Sequence, residues 1–155
     1  MRFPLSFIPK LSYKTGGRVF GAPRGGGRRH AACDLIAPLG TEVFAIADGI
    51  VEVASKDFYR GTNYISIRHK DGCVVRYCEV LAGDHIKLHK GDVVREGQVI
   101  AHVGKMHVDS MPHFELYAGT ETGELTQRSN PPYQRRKDLR NPTALLDRLA
   151  WTLFE

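Results

Sequence analysis

TEVFAIADGIVEVASKDFYRGTNYISIRHKDGCVVRYCEV, residues 41–80, is a succession of short β-branched and apolar runs cut by Asp48-Gly49, by the FYRG turn at 58–61 and by Asp71-Gly72. Such runs between glycine-bearing turns read as antiparallel strands joined by tight hairpins. The same texture continues on both sides. DLIAP precedes the stretch from Asp34, and DVV, QVIAHVG and PHFELYA follow it, with turn signals at Pro38 to Gly40, Gly91-Asp92 and Glu96-Gly97. This spacing predicts a mainly β fold, an antiparallel β-sandwich or barrel-sandwich-like domain.

The two ends differ from this body. TGGRVFGAPRGGGRR, residues 15–29, is a glycine- and arginine-rich loop. At the other end NPTALLDRLAWTLF predicts one helix, with Asn141 as N-cap, Pro142 in the first turn and Leu145, Leu146, Leu149 and Leu153 at helical spacing. Segment 120–140, with Asn130-Pro131-Pro132 and QRRKDLR, reads as a polar surface linker to that helix. The chain divides into an N-terminal extension at 1–24, a β domain at 25–119, and a basic linker plus C-terminal helix at 120–155 packed on the same domain. No repeat of solenoid length is present.

At 155 residues, 42% hydrophobic and 25% charged, the chain has the size and composition of one globular domain and excludes disordered, collagenous and membrane-spanning classes. The net charge of +5 is unevenly placed. Residues 1–30 hold seven basic residues and no acid, and residues 128–140 hold five against Asp138 alone, whereas 31–127 is net acidic. Basic ends suit an anionic polymer, or are simply a solvated surface. The three cysteines, Cys33, Cys73 and Cys78, form no C-x-x-C pair and read as reduced, partly buried thiols. Pro4, Pro9 and Lys10 interrupt MRFPLSFIPKLSYK before any apolar run long enough for a signal peptide, which predicts synthesis in the cytoplasm without a cleaved leader.

Three residues are candidate metal ligands. His30 and Asp34 form His-x-x-x-Asp directly after the glycine-rich loop, and His113 stands in the late strand MPHFELY. Two imidazoles and one carboxylate satisfy the three-ligand count of a catalytic zinc site, which keeps a fourth position for water. The bare motif has a plainer reading, a surface histidine and a turn aspartate.

Taken in order, GRRHAACDLIAPLGTEVFAIADGIV, GTNYISIRHKDG, VVRYCEV, HKGDVVREGQVIAHVG and PHFELY resemble the lysostaphin and LytM type of peptidoglycan zinc endopeptidase domain, from about Gly25 to Tyr117. The resemblance implies a two-layered β fold, Zn2+ on His30, Asp34 and His113, and cleavage of peptide cross-links in bacterial cell wall. It also implies action on the wall after leaderless export or lysis, as a phage lysin or an injected effector with an immunity or delivery protein as partner. Two departures fall at the chemistry. The family's His-x-His is Met111-Pro112-His113 here, and its Tyr-x-His-Leu is Tyr77-Cys78-Glu79-Val80. Both auxiliary histidines are replaced. Glu79 is then the candidate general base, and His107, in the loop before the late strand, is a candidate replacement imidazole. The alternative is a zinc-binding homologue with little turnover that binds wall peptide or regulates a partner.

Met111 and Glu115 share a strand face with His113, which makes Glu115 a candidate acceptor for a ligand histidine. Asn63, Tyr64 and Tyr77 are candidates for the cleft wall, and Phe58, Tyr59 and Arg60 form an aromatic and basic turn suited to glycan or peptide. His69, His85, His89 and His102 read as structural or solvated. HKGDVVREGQVIAHVG also resembles the turn of lipoyl and biotinyl carriers, but Lys56, Lys70 and Lys105 lack the context of a carrier lysine. Nucleic acid is not expected as a partner, because aromatic residues are not regularly interleaved with RGGGRR and QRRK for base stacking.

Overall fold

The structure is a computed structural model and describes residues 1–106 and 108–155. Among these described residues nine strands follow in chain order: β1 Cys33–Asp34, β2 Glu42–Phe44, β3 Gly49–Asp57, β4 Asn63–His69, β5 Val74–Val80, β6 Val93–Val94, β7 Val99–His102, β8 His113–Tyr117 and β9 Leu139–Arg140. One α-helix, α1 Thr143–Ala150, comes near the end. Seven strands form an antiparallel sheet in the order β1-β8-β5-β4-β3-β6, with β9 added to β8, while β2 and β7 pair separately. The mainly β, antiparallel fold with one C-terminal helix is as the turn spacing predicts. Among the described residues no helix is long and apolar enough to cross a membrane.

Strand parity decides what each face of the large sheet carries. Val75, Tyr77 and Phe114 point into the main core, where they meet Ile65 and Ile67 of β4, Val43 of β2, Ile100 of β7, and Leu146 and Leu149 of α1. Val74, Arg76 and Cys78 stand on the opposite face, paired across the ladder with Tyr117, Glu115 and His113. That face is charged and still buried.

Its cover is the segment expected to be an exposed linker. Residues 120–138 fold over it instead, placing Leu125 against Val74 and Tyr117 and burying Arg135, Arg136 and Asp138. The segment is polar because the surface that it covers is polar. The N-terminal 24 residues also pack inward, with Phe3, Leu5 and Tyr13 in the main core. The Arg2 amide donates to the Ile46 carbonyl, and the Tyr13 hydroxyl donates to Asp147 of α1. Pro142, not Asn141, is the N-cap of that helix, and Asn141 Oδ1 one position earlier accepts from the Thr143 amide and hydroxyl.

One irregularity bears on the site. Asn63 pairs with Val80 and Tyr64 with Cys78, so Glu79 is an extra residue on β5. It takes a left-handed φ of 62°. A β-bulge of this kind reverses the alternation and re-aims one side chain.

Candidate metal centre

His30 ends the glycine-rich loop, Asp34 lies on β1, and His113 opens β8, where β1 pairs Asp34 directly against His113. The antiparallel pairing brings together residues 79 positions apart. His30 Nε2 lies 3.1 Å from Asp34 Oδ1 and 3.3 Å from His113 Nδ1, and His113 Nδ1 lies 3.1 Å from Asp34 Oδ1. All three residues are buried.

The outer side of each imidazole fixes what the inner side offers. His30 Nδ1 donates to the Val19 carbonyl at 2.9 Å, and His113 Nε2 donates to Glu115 Oε2 at 2.8 Å. Each ring thereby turns a lone pair inward, as a ligand histidine does. Two lone pairs facing each other at 3.3 Å repel unless a cation lies between them. Tetrahedral ligands about 2.0–2.1 Å from zinc sit roughly 3.3 Å apart, which matches this triangle. The donor set therefore fits Zn2+.

Electrostatics favour a cation at the same point. Burial opposes charge on His113, but hydrogen bonds to Asp34 and Glu115 outweigh it and push the imidazole up to about 10, so the cation that the carboxylates favour at the inward Nδ1 is a proton or, in its place, a metal ion. Burial likewise pushes Asp34 up, yet the two histidines bring it down to about 2. Glu115 is fully buried and accepts from Arg76, Arg135, His113 and Tyr117. The two guanidinium charges overcome its desolvation and hold it well below the usual carboxylate range. It is a fixed anion behind His113. Cys78, His113 and Glu115 also cluster, but burial pushes the Cys78 thiol well up and the arginines already engage Glu115.

Glu79 completes the group. The bulge turns its carboxylate to within 3.3 Å of His113 Nδ1, beside the point where the three donors converge. Burial raises it to about 7, and the charge of His113 only partly opposes this. A carboxylate that exchanges a proton near neutrality can serve as an acid or a base.

The surrounding cleft has a volume of about 480 Å³ and is lined by Glu79, Met111, Tyr59 and several arginines besides the donor set. Met111 stands in it with a thioether in place of an imidazole. Tyr64 lines an adjoining cavity with Phe58 and Arg76. Asn63 and Tyr77 require correction, because neither lines the cleft. Asn63 donates to Ser55. Tyr77 points into the core by strand parity, where its hydroxyl meets His69 and the Ile46 amide. His107 lies outside the described residues. His85 and His102 meet at Asp84, away from the cleft.

Sequence reasoning did not single out the Val19 carbonyl, Arg76 or Arg135, and it read Phe58 only as part of an exposed turn, whereas its ring packs 5.6 Å from that of His113. Only the register of β5 against β8 could have shown Arg76 facing Glu115.

The profile of Peptidase family M23 matches residues 28–126. Peptidoglycan DD-endopeptidase ShyC of Vibrio cholerae is 30% identical over 133 residues, 81% of this chain and 28% of its own length. Glycyl-glycine endopeptidase ALE-1 of Staphylococcus capitis is 30% identical over 121 residues, 77% of this chain and 33% of its own. The catalytic domain of the antimicrobial peptidase lysostaphin from Staphylococcus simulans superimposes with a TM-score of 0.63 at 25% identity, covering 83% of this chain and 89% of that domain. The chain thus spans about a third or less of the curated relatives' lengths.

Proposed function

The chain belongs to peptidase family M23, and on that premise we propose that it is a zinc-dependent endopeptidase hydrolysing peptide bonds of bacterial peptidoglycan. His30 Nε2, Asp34 Oδ1 and His113 Nδ1 would hold the metal. Bound Zn2+ supplies Lewis-acid polarisation of the scissile carbonyl and acidification of water. Val19 and Glu115 keep the two imidazoles in the tautomers that ligation needs. Glu79 takes the proton of the attacking water at Oε2 and returns it to the leaving amine. The observation that carries this reading is the bulge, which spends a left-handed backbone conformation to aim a buried carboxylate at the donor set.

The same 3.3 Å separation from His113 favours a second reading, in which Glu79 is a fourth ligand and closes a structural site. Glu79→Gln separates the two. A base predicts retained zinc with wall hydrolysis lowered by about 10²- to 10⁴-fold, whereas a ligand predicts weakened zinc binding. Products of purified peptidoglycan, measured by mass with and without EDTA, show the activity and the bond together. Equal digestion by wild type and Glu79→Gln would remove Glu79 from the mechanism.

A further inference from the structure

Two walls of the cleft bring arginines to its mouth. Arg24, Arg28 and Arg29 come from the glycine-rich loop, and Arg60 comes from the turn Tyr59–Gly61 across from it. The loop can fold this way because Gly26 and Gly27 take φ of 70° and 75°. Arg60, at φ 53°, stands at the corner of its turn.

Backbone carbonyls aim these guanidiniums without using them up. Arg24 donates to Gly17 and Pro23, Arg28 to Gly25, and Arg29 to Gly21. A guanidinium has five N–H donors, so these bonds leave most donors of Arg24, Arg28 and Arg29 unused, and Arg60 lines the same cleft. Among the described residues, no carboxylate lies within 4.0 Å of Arg28, Arg29 or Arg60, and Arg24 reaches Asp34 only at 4.0 Å. Arg76 and Arg135, by contrast, are engaged by Glu115 in the interior. Asp34, Glu79 and Asp109 also line the cleft, but the four arginines outnumber them, and an excess of one charge at a concave opening raises the local concentration of anions. Arginine, unlike lysine, matches a carboxylate with two parallel hydrogen bonds.

Resting on the hydrolase reading and sharpening its substrate, we infer that Arg24, Arg28, Arg29 and Arg60 form a carboxylate-binding rim that selects the acidic stem peptide of peptidoglycan over an uncharged glycine bridge. Stem peptides carry free carboxylates at the isoglutamyl residue and at the C-terminus. Glycine bridges carry none along their length. The rim therefore places this chain's preference with acidic stems, in a family whose relatives include both a DD-endopeptidase and a glycyl-glycine endopeptidase by name.

Titration calorimetry tests the rim without needing turnover. The probes are a free-acid stem tetrapeptide, the same peptide amidated at the C-terminus, at the isoglutamyl carboxylate or at both, and pentaglycine amide. The free acid is expected to bind about tenfold tighter or more than the doubly amidated form, and the singly amidated peptides identify which carboxylate the rim holds. Arg28→Gln combined with Arg60→Gln should abolish most of that preference. Arg60→Lys should keep only part of it, since a point charge lacks the fork. Equal binding of the doubly amidated peptide or of pentaglycine amide would overturn the inference, as would a double variant that keeps the preference. Failures of the two readings are distinguishable. Wild type that binds the free acid selectively but cuts no wall refutes the hydrolase and leaves the rim, whereas indifferent cutting of stems and glycine bridges refutes the rim and leaves the hydrolase.

Discussion

Glu79 is held in a backbone conformation that residues with a Cβ avoid at a cost of about 1–2 kcal/mol, and burial raises its carboxyl to about 7. Both features oppose stability. Glu79→Gly should therefore leave the fold at least as stable, with a gain of about 1 kcal/mol in chemical denaturation, while removing the carboxylate from the site. Glu115 behaves oppositely. Its replacement by Gln leaves Arg76 and Arg135 buried without their counter-ion, which should lower stability by about 3–5 kcal/mol. Zinc affinity should fall roughly 10- to 100-fold as the His113 tautomer loses its anchor, and competition against a chromogenic chelator measures that drop. At this scale the donor set was legible from its types, its spacing and the family resemblance. The position of Tyr77 was not, because plain alternation puts Tyr77 and Glu79 on one face, and the bulge that re-aims Glu79 has no local signal in the sequence.

At the scale of elements, the site depends on the irregular end of β5. Gly104 donates its amide to the Glu79 carbonyl, and a Cβ there would lie 2.9–3.0 Å from the backbone of Val80 and Glu79. Gly104→Ala must therefore push the bulge out of place. Thermal denaturation should show a loss of about 1–3 kcal/mol, with hydrolysis falling while the three donors stay intact. Segment 120–138 makes the second point. Its polarity, prolines and arginines describe a surface linker, and nothing local announces that Arg135 belongs to a glutamate 20 positions earlier. Regular strands and the helix are visible as periodicity. A bulge and a covering loop are not, because they are defined by partners distant in sequence.

Across the whole molecule, both ends of the chain close onto the sheet that carries the site. Phe3 is fully buried in the main core, so Phe3→Ala should destabilise the domain by about 3–5 kcal/mol. Asp138 pins the other end through Arg136 and the Gly119 amide. Burial alone would raise its carboxyl, but Arg136 outweighs burial and holds it below the ordinary value. A depressed folded pKa gives stability that is fully present above the unfolded value, about 3.9, and is lost as pH falls through the folded one. Urea midpoints of wild type should accordingly fall more steeply below about pH 4 than those of Asp138→Asn. The charge map is informative at this scale too, since Arg24, Arg28 and Arg29 of the basic N-terminal end line the cleft while the donors Asp34 and His113 lie in the acidic body.

If His30, Asp34 and His113 hold one zinc ion, metal analysis of the purified chain after dialysis against near-equimolar zinc will find it. The expected result is about one zinc per chain in wild type and none in His113→Ala, with Glu79→Gln also keeping its zinc. Wild type that carries no zinc under these conditions, or His113→Ala that retains it, would rule out this donor set.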